Sequence, residues 1–216
     1  MPNQSGSVYG LTLLSPIIGD PHAPVSHDLQ LRLILGSMPR DHESPFAKVD
    51  STHMCRLTVM NDVIYVGMPA CEEHLQLQYL VFESNFDGDL ETYLRRMAQQ
   101  IPETVDAVWS HCLGYPGVIN PDAFVAYMKK CQVTTTFYFA DVNDKTVGQT
   151  LTALQTQSAV GAFVERNAGV HGAPLQQAFL KLMSDLREAP APQPGSGRED
   201  ANLCAVAGAG ASSIHE

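Results

Sequence analysis

The alternation of apolar and polar positions divides the chain into short strands and helices before any other property is considered. Val8 to Ser15 (VYGLTLLS) is an apolar run stopped by Pro16 and the Gly19-Asp20-Pro21 turn, which predicts a first strand. Ser26 stands at an N-cap position, and Leu31, Ile34, Leu35 and Met38 then recur at helical spacing until Pro39. Thr52 to Met60 (THMCRLTVM) alternates as a second strand, with His53, Cys55, Leu57 and Val59 on one face and Met54, Arg56 and Thr58 on the other. After the Asn61-Asp62 turn and a loop over 67–77, Gln78 to Phe86 predicts a third strand. Its Leu80, Phe82, Ser84 and Phe86 oppose Tyr79, Val81, Glu83 and Asn85. Asp87-Gly88-Asp89 opens an amphipathic helix with the stripe Leu90, Tyr93, Leu94, Met97 and Ile101, closed by Pro102. Val105 to Cys112 is expected to return as a fourth strand, with Val105, Ala107, Trp109 and His111 on one face.

Strand-helix-strand-strand-helix-strand is the ferredoxin-like order, so the expected class is α+β with a β-α-β-β-α-β unit over about residues 8–116. Asn120 and Pro121 start a further helix, Thr134 to Ala140 (TTTFYFA) predicts an added fifth strand, and two helices are expected near 145–167 and 174–187. Residues 1–188 are read as one domain with a C-terminal helical extension. Residues 189–216, rich in Pro, Gly, Ala and Ser, are read as a flexible tail. A sheet with one apolar face left over favours pairing with a second copy, so a homodimer is expected.

The 216 residues carry a formal charge of −10, which makes nucleic acid and anionic membranes poor partners. Arg95-Arg96 and Lys129-Lys130 are isolated pairs rather than a basic patch. No run approaches the roughly 18 apolar residues of a membrane span, and the N-terminus lacks the layout of a signal peptide, so a cytoplasmic protein is expected. The five cysteines are scattered without a C-x-x-C pair and read as reduced thiols.

Candidate chemistry concentrates where strands end. His53 in Ser-Thr-His-Met-Cys-Arg can act as a base or ligand, or simply be satisfied within a half-buried sheet. Asn85 is disfavoured inside a strand and so suggests a ligand contact, whereas Asp87 either contacts a ligand or caps the following helix. Trp109, His111 and Tyr115 surround the Gly-Tyr-Pro-Gly exit. Cys112 cannot use its neighbour His111 as a base if both lie on a strand. His22, His27, His42, His74 and His171 are expected to be solvated. Nucleotide-binding glycine loops and the hydrolase and zinc-protease motifs are absent. If His53, Asn85 and His111 converge with Arg56 and Tyr115, the set suits proton transfer or ligation of one iron or haem, but lacks the carboxylates a hard divalent metal requires.

The segments Ser44-Pro-Phe-Ala-Lys-Val, Ser51-Thr-His-Met-Cys-Arg, Tyr79-Leu-Val-Phe-Glu-Ser-Asn-Phe-Asp-Gly-Asp-Leu and His111-Cys-Leu-Gly-Tyr-Pro-Gly resemble a family of largely uncharacterised bacterial proteins in which similar segments follow the same order. In topology the chain is similar to the dimeric α+β barrel superfamily of monooxygenases, chlorite dismutases and dye-decolourising peroxidases. That resemblance implies a cavity between sheet and helices and oxidative chemistry on a small apolar molecule. The haem ligand of its haem-binding members sits on a helix, whereas both candidate histidines here are expected on strands, which speaks against haem. The leading expectation is therefore an oxidoreductase-like enzyme. His53 and His111 serve as acid/base or iron-ligating groups, Arg56 and Asn85 orient the substrate, and Trp109, Tyr115 and Asp87 contact it. A non-catalytic ligand-binding or accessory protein is the alternative, and a purely structural homodimer the third.

Overall fold

The computed structural model describes residues 3–63 and 74–195. They fall into two compact units divided between Asp144 and Lys145. The N-terminal unit is α+β, with a four-stranded antiparallel sheet in the order β1 (Gln4–Ser5), β2 (Val8–Pro16), β4 (Tyr79–Asp87), β3 (Thr52–Met60). Its helices are α1 (His27–Ser37), α2 (Leu90–Gln100), α3 (Pro102–Trp109) and α4 (Pro121–Cys131). The C-terminal unit holds α5 (Val147–Arg166) and α6 (Ala173–Glu188), where two helices were expected. No helix among the described residues is long and apolar enough to cross a membrane.

The period-2 pattern decides which sheet face is buried. Leu11 and Leu13 of β2 pair with Ser84 and Phe82, and the side chains on that face, with Leu80 and Phe86, meet helix residues Leu31, Leu94, Met97, Val105 and Phe124 in one core. Ser84 sits among them because its hydroxyl pairs with the buried Tyr93 phenol at 2.8 Å. That phenol is pushed up to about 12 by burial and stays protonated. The Phe86 and Tyr93 rings stack with centroids 3.7 Å apart. Asp89 caps α2 by accepting from the Thr92 amide at 2.9 Å, and Asn120 caps α4 by accepting from the amides of Asp122 and Ala123. Ser26 precedes α1 as expected, but its side chain makes no capping bond.

Two expected strands are not strands. Residues 102–109, which cover most of the expected fourth strand, are helical: Pro102 begins α3 as well as ending α2, and Val105, Val108 and Trp109 are buried at i, i+3, i+4. An apolar run of eight residues fits either period, and here packing against the existing core selects the helical one. Residues 134–140 form no strand. The backbone of β2 bonds this part of the chain through a bridge between Leu13 and Gln132 and a bond from the Val133 amide to the Thr12 carbonyl. Without a ladder to join, the β-prone side chains of 134–140 lie over the sheet as an extended strap, leaving Phe137 82% and Phe139 68% exposed. The loop expected at 67–77 lies outside the described residues over 67–73, and the tail outside them from residue 196.

Candidate functional site: a pocket on the outer face of the sheet

The sheet face turned away from the helices carries Gly10 and Thr12 of β2, Met54 and Arg56 of β3, and Glu83 and Asn85 of β4, aligned by register: Gly10 and Met54 oppose Asn85, while Thr12 and Arg56 oppose Glu83. The strap crosses above them. It is tied down at one end by Val133 on Thr12, and at the other by the Ser7 amide donating to the Asn143 carbonyl at 2.8 Å. Between these ties Asn3 donates to the Thr135 hydroxyl at 3.1 Å, and the Tyr138 hydroxyl donates to Asn85 Oδ1 at 3.1 Å. The Tyr138 ring lies directly on Gly10, where any β-carbon would come within 2.6 Å of it. Partial burial pushes the Tyr138 phenol up, so it is a protonated donor at neutral pH. Sheet and strap enclose a half-open pocket of about 290 Å³, with Arg56, Glu83, Asn85, Thr12, Thr135 and Tyr138 among its walls. The Arg56 Nε and Nη2 groups both donate to Glu83 Oε2.

At the end of the same face stand His53 and Asp87. The alternation of β3 places His53 on the core face, but the register shifts between Thr52 and Met54. Thr52 thereby faces inward, its hydroxyl reaching the Tyr93 phenol at 3.3 Å, and His53 becomes the bulged residue. Its Nε2 meets Asp87 Oδ1 at 2.8 Å, with the two side chains 22% and 14% exposed. Asp87 is thus the last residue of β4 and a partner of His53, and the helix cap is Asp89. Gly88 allows the turn between them with φ +93°.

His111 lies elsewhere. Its carbonyl accepts from the Ile18 amide beyond the far end of β2, whereas Asp87 pairs with Val8 at the near end. At about 3.3 Å per residue, the length of β2 separates His53 from His111 by roughly 25–30 Å. His111 instead meets His27 at the start of α1, Nδ1 to Nδ1 at 2.9 Å with the rings edge-on. His27 is therefore paired rather than simply solvated. Desolvation, and then the neighbouring His27, hold the His111 imidazole below its usual value. Trp109 is fully buried, edge-on to Phe82, with its indole N–H donating to Ser15 Oγ at 3.3 Å. The Tyr115 hydroxyl donates to Asp106 at 2.7 Å and its ring packs edge-on to Phe124 and Tyr127. Both aromatics are core and scaffold contacts rather than pocket walls. Burial pushes the Cys112 thiol up to about 12 and the Cys55 thiol up to about 11, which leaves neither as an effective thiolate.

Of the residues singled out in the sequence, the fold brings together Arg56, Asn85, Asp87 and His53 on one face and leaves His111, Trp109 and Tyr115 outside it. Side chains such as Leu13, Phe82 and Trp109 pack between sheet and helices, and a pocket opens on the opposite face. Tyr138 escapes the sequence reading, although a signal existed, and Glu83 is read there only as sharing the face of Asn85. Gly10 inside a strand marks a close approach of another part of the chain. No group of three or more His, Cys, Asp or Glu able to hold a metal occurs among the described residues. Arg95, Arg96 and Lys129 are each bonded to carboxylates, so these cations do not build a basic surface. Neither a protein-family model, nor a curated protein, nor a solved structure matches the chain.

Proposed function

We propose that the N-terminal unit binds a small molecule in the pocket between the outer face of its sheet and the strap over 133–143. The observation that carries this reading is the convergence of Arg56, Asn85 and Tyr138, from two strands and the strap, on one half-open pocket of about 290 Å³. That volume lies at the small end of ligand sites, which pair an apolar wall with a few placed polar groups. Tyr138 and Met54 supply the apolar wall. A fragment screen by ligand-observed NMR tests the reading: fragments should bind the native chain and be lost in Tyr138→Ala and Arg56→Gln, with Trp109 emission reporting an intact fold. Fragments that bind both variants as they bind the native chain would overturn it.

A second reading is favoured by the His53–Asp87 contact at the end of the same face. A carboxylate that accepts from one imidazole nitrogen orients the ring and leaves the other nitrogen to take a proton, the arrangement of a general base. In this reading the chain is an oxidoreductase-like enzyme of the dimeric α+β barrel type acting on a small, largely apolar molecule, with His53 moving the proton. Support for the ferredoxin-like part comes from the order of β2, β4 and β3, with first strand beside third and third beside second. Iron or haem held jointly by His53 and His111 loses its support, because those residues stand at opposite ends of the sheet. A pocket ligand with an acidic C–H should exchange it for deuterium in D₂O with the native protein and not with His53→Gln. Equal exchange with both would remove the enzyme reading.

A further inference from the structure

The pocket wall carries the Arg56–Glu83 ion pair, and the donors that stand beside it select a chemical class. Arg56 presents two hydrogen-bonding edges, and Glu83 occupies one of them, the Nε/Nη2 edge. The Nη1 side remains for a ligand, and with 69% of its side chain exposed the guanidinium is open to one. Asn85 spends its Oδ1 on the Tyr138 phenol, which directs its two amide N–H donors to other acceptors. Across the sheet the Thr12 hydroxyl adds a further donor to the same walls. Beside these donors on the sheet stands the Met54 thioether, and above the sheet the Tyr138 ring, neither of which offers a strong acceptor.

From this arrangement we infer that the pocket takes a small carboxylate with an apolar body, the carboxylate on Arg56 and Asn85 and the body between Tyr138 and Met54. The inference rests on the pocket being the binding site and adds the class of its ligand. Planar carboxylate geometry matches the open guanidinium edge, and charge-assisted bonds of this kind are the strong ones. The volume of about 290 Å³ equals roughly ten waters at about 30 Å³ each, enough for a single-ring acid and too little for a nucleotide. A formal charge of −10 on the chain does not draw anions towards it, so selection has to come from these local donors.

Benzoate and benzamide, equal in shape and different in charge, are the probes. Titrated into the full chain and followed by NMR, benzoate should bind about threefold or more tightly than benzamide, the ion pair being solvent-exposed. Arg56→Gln should remove that preference, and Glu83→Gln, which releases the second edge of the guanidinium, should strengthen benzoate binding. Trp109 emission and the unfolding midpoint verify that each variant folds. If benzamide binds as well as benzoate, and both are lost in Tyr138→Ala, the carboxylate assignment is overturned while the pocket stands. If neither binds, the assignment is overturned as well, and the fragment screen decides separately whether the pocket reading falls with it.

Discussion

Replacing Gly10 by alanine isolates the contact that roofs the pocket. The added Cβ would lie 2.6 Å from Tyr138 Cε2, 2.7 Å from Cδ2 and 3.0 Å from Cζ. Ordinary carbon contacts are about 3.5–4.0 Å, so the ring has to retreat by roughly 1 Å. That displacement breaks the 3.1 Å bond from the Tyr138 hydroxyl to Asn85, worth about 0.5–1.5 kcal/mol, and opens the ring contact. Overpacking of this kind costs about 1–3 kcal/mol. Against it stands a gain of about 0.4–1 kcal/mol, because Gly10 is not in the left-handed region and alanine restricts the unfolded chain. The expected net loss is about 1–2 kcal/mol. In a Tyr138→Ala background the obstacle is gone, and Gly10→Ala should be neutral or stabilising by about 0.5 kcal/mol. The pair should therefore couple by about 2 kcal/mol, well above the additivity error of about 0.5 kcal/mol. Urea unfolding followed through Trp109, the single tryptophan and a core residue of this unit, measures all four proteins. Equal losses from Gly10→Ala in both backgrounds would refute the placement of Tyr138 on the sheet, and the pocket with it.

The helix caps separate residue type from the bond it makes: Asn120→Ala should cost about 1 kcal/mol in urea unfolding, whereas Ser26→Ala, whose hydroxyl makes no capping bond, should change little. Tyr115→Phe removes the 2.7 Å bond to Asp106 and should cost about 1–2 kcal/mol in the same assay, since the acceptor is a charged group. For His111 the folded-state pKa lies below the unfolded value of 6.5, so the unfolded chain binds more protons in that range. Its neutral form is accommodated without penalty above 6.5, and stability falls as the pH drops below 6.5 through the lower folded value. Unfolding midpoints measured from pH 8 to pH 5 should decline less steeply in His111→Asn than in the native chain. Parallel profiles would show that neither the burial of His111 nor its contact with His27 carries such a linkage.

Several parts of the site are legible in the sequence because local rules govern them. Arg56 and Asn85 follow from strand periodicity, which places them on the faces they occupy, and the glycine at position 10 marks a close approach. His53 is legible as a candidate but its partner is not, because the bulge that turns it towards Asp87 arises from how β3 registers on β4, a relation between residues more than thirty positions apart. Tyr138 is equally hidden, since its place over Gly10 depends on a strap anchored by Asn143 at one end and by Val133 at the other.

The sequence by itself determined β2, β3, β4, α1, α2 and α4, each of which has one dominant period and a proline, glycine or capping residue at its ends. It also determined which face of β4 is buried, because alternate side chains must point to opposite sides. Only the tertiary structure decided that 102–109 is a helix and that 134–140 pairs with no strand. The first run carries both periods, and the second is β-prone but finds no ladder to join. The same holds for the histidines: composition counts them, but the length of one strand keeps His53 and His111 apart and leaves each with a partner drawn from a distant part of the chain.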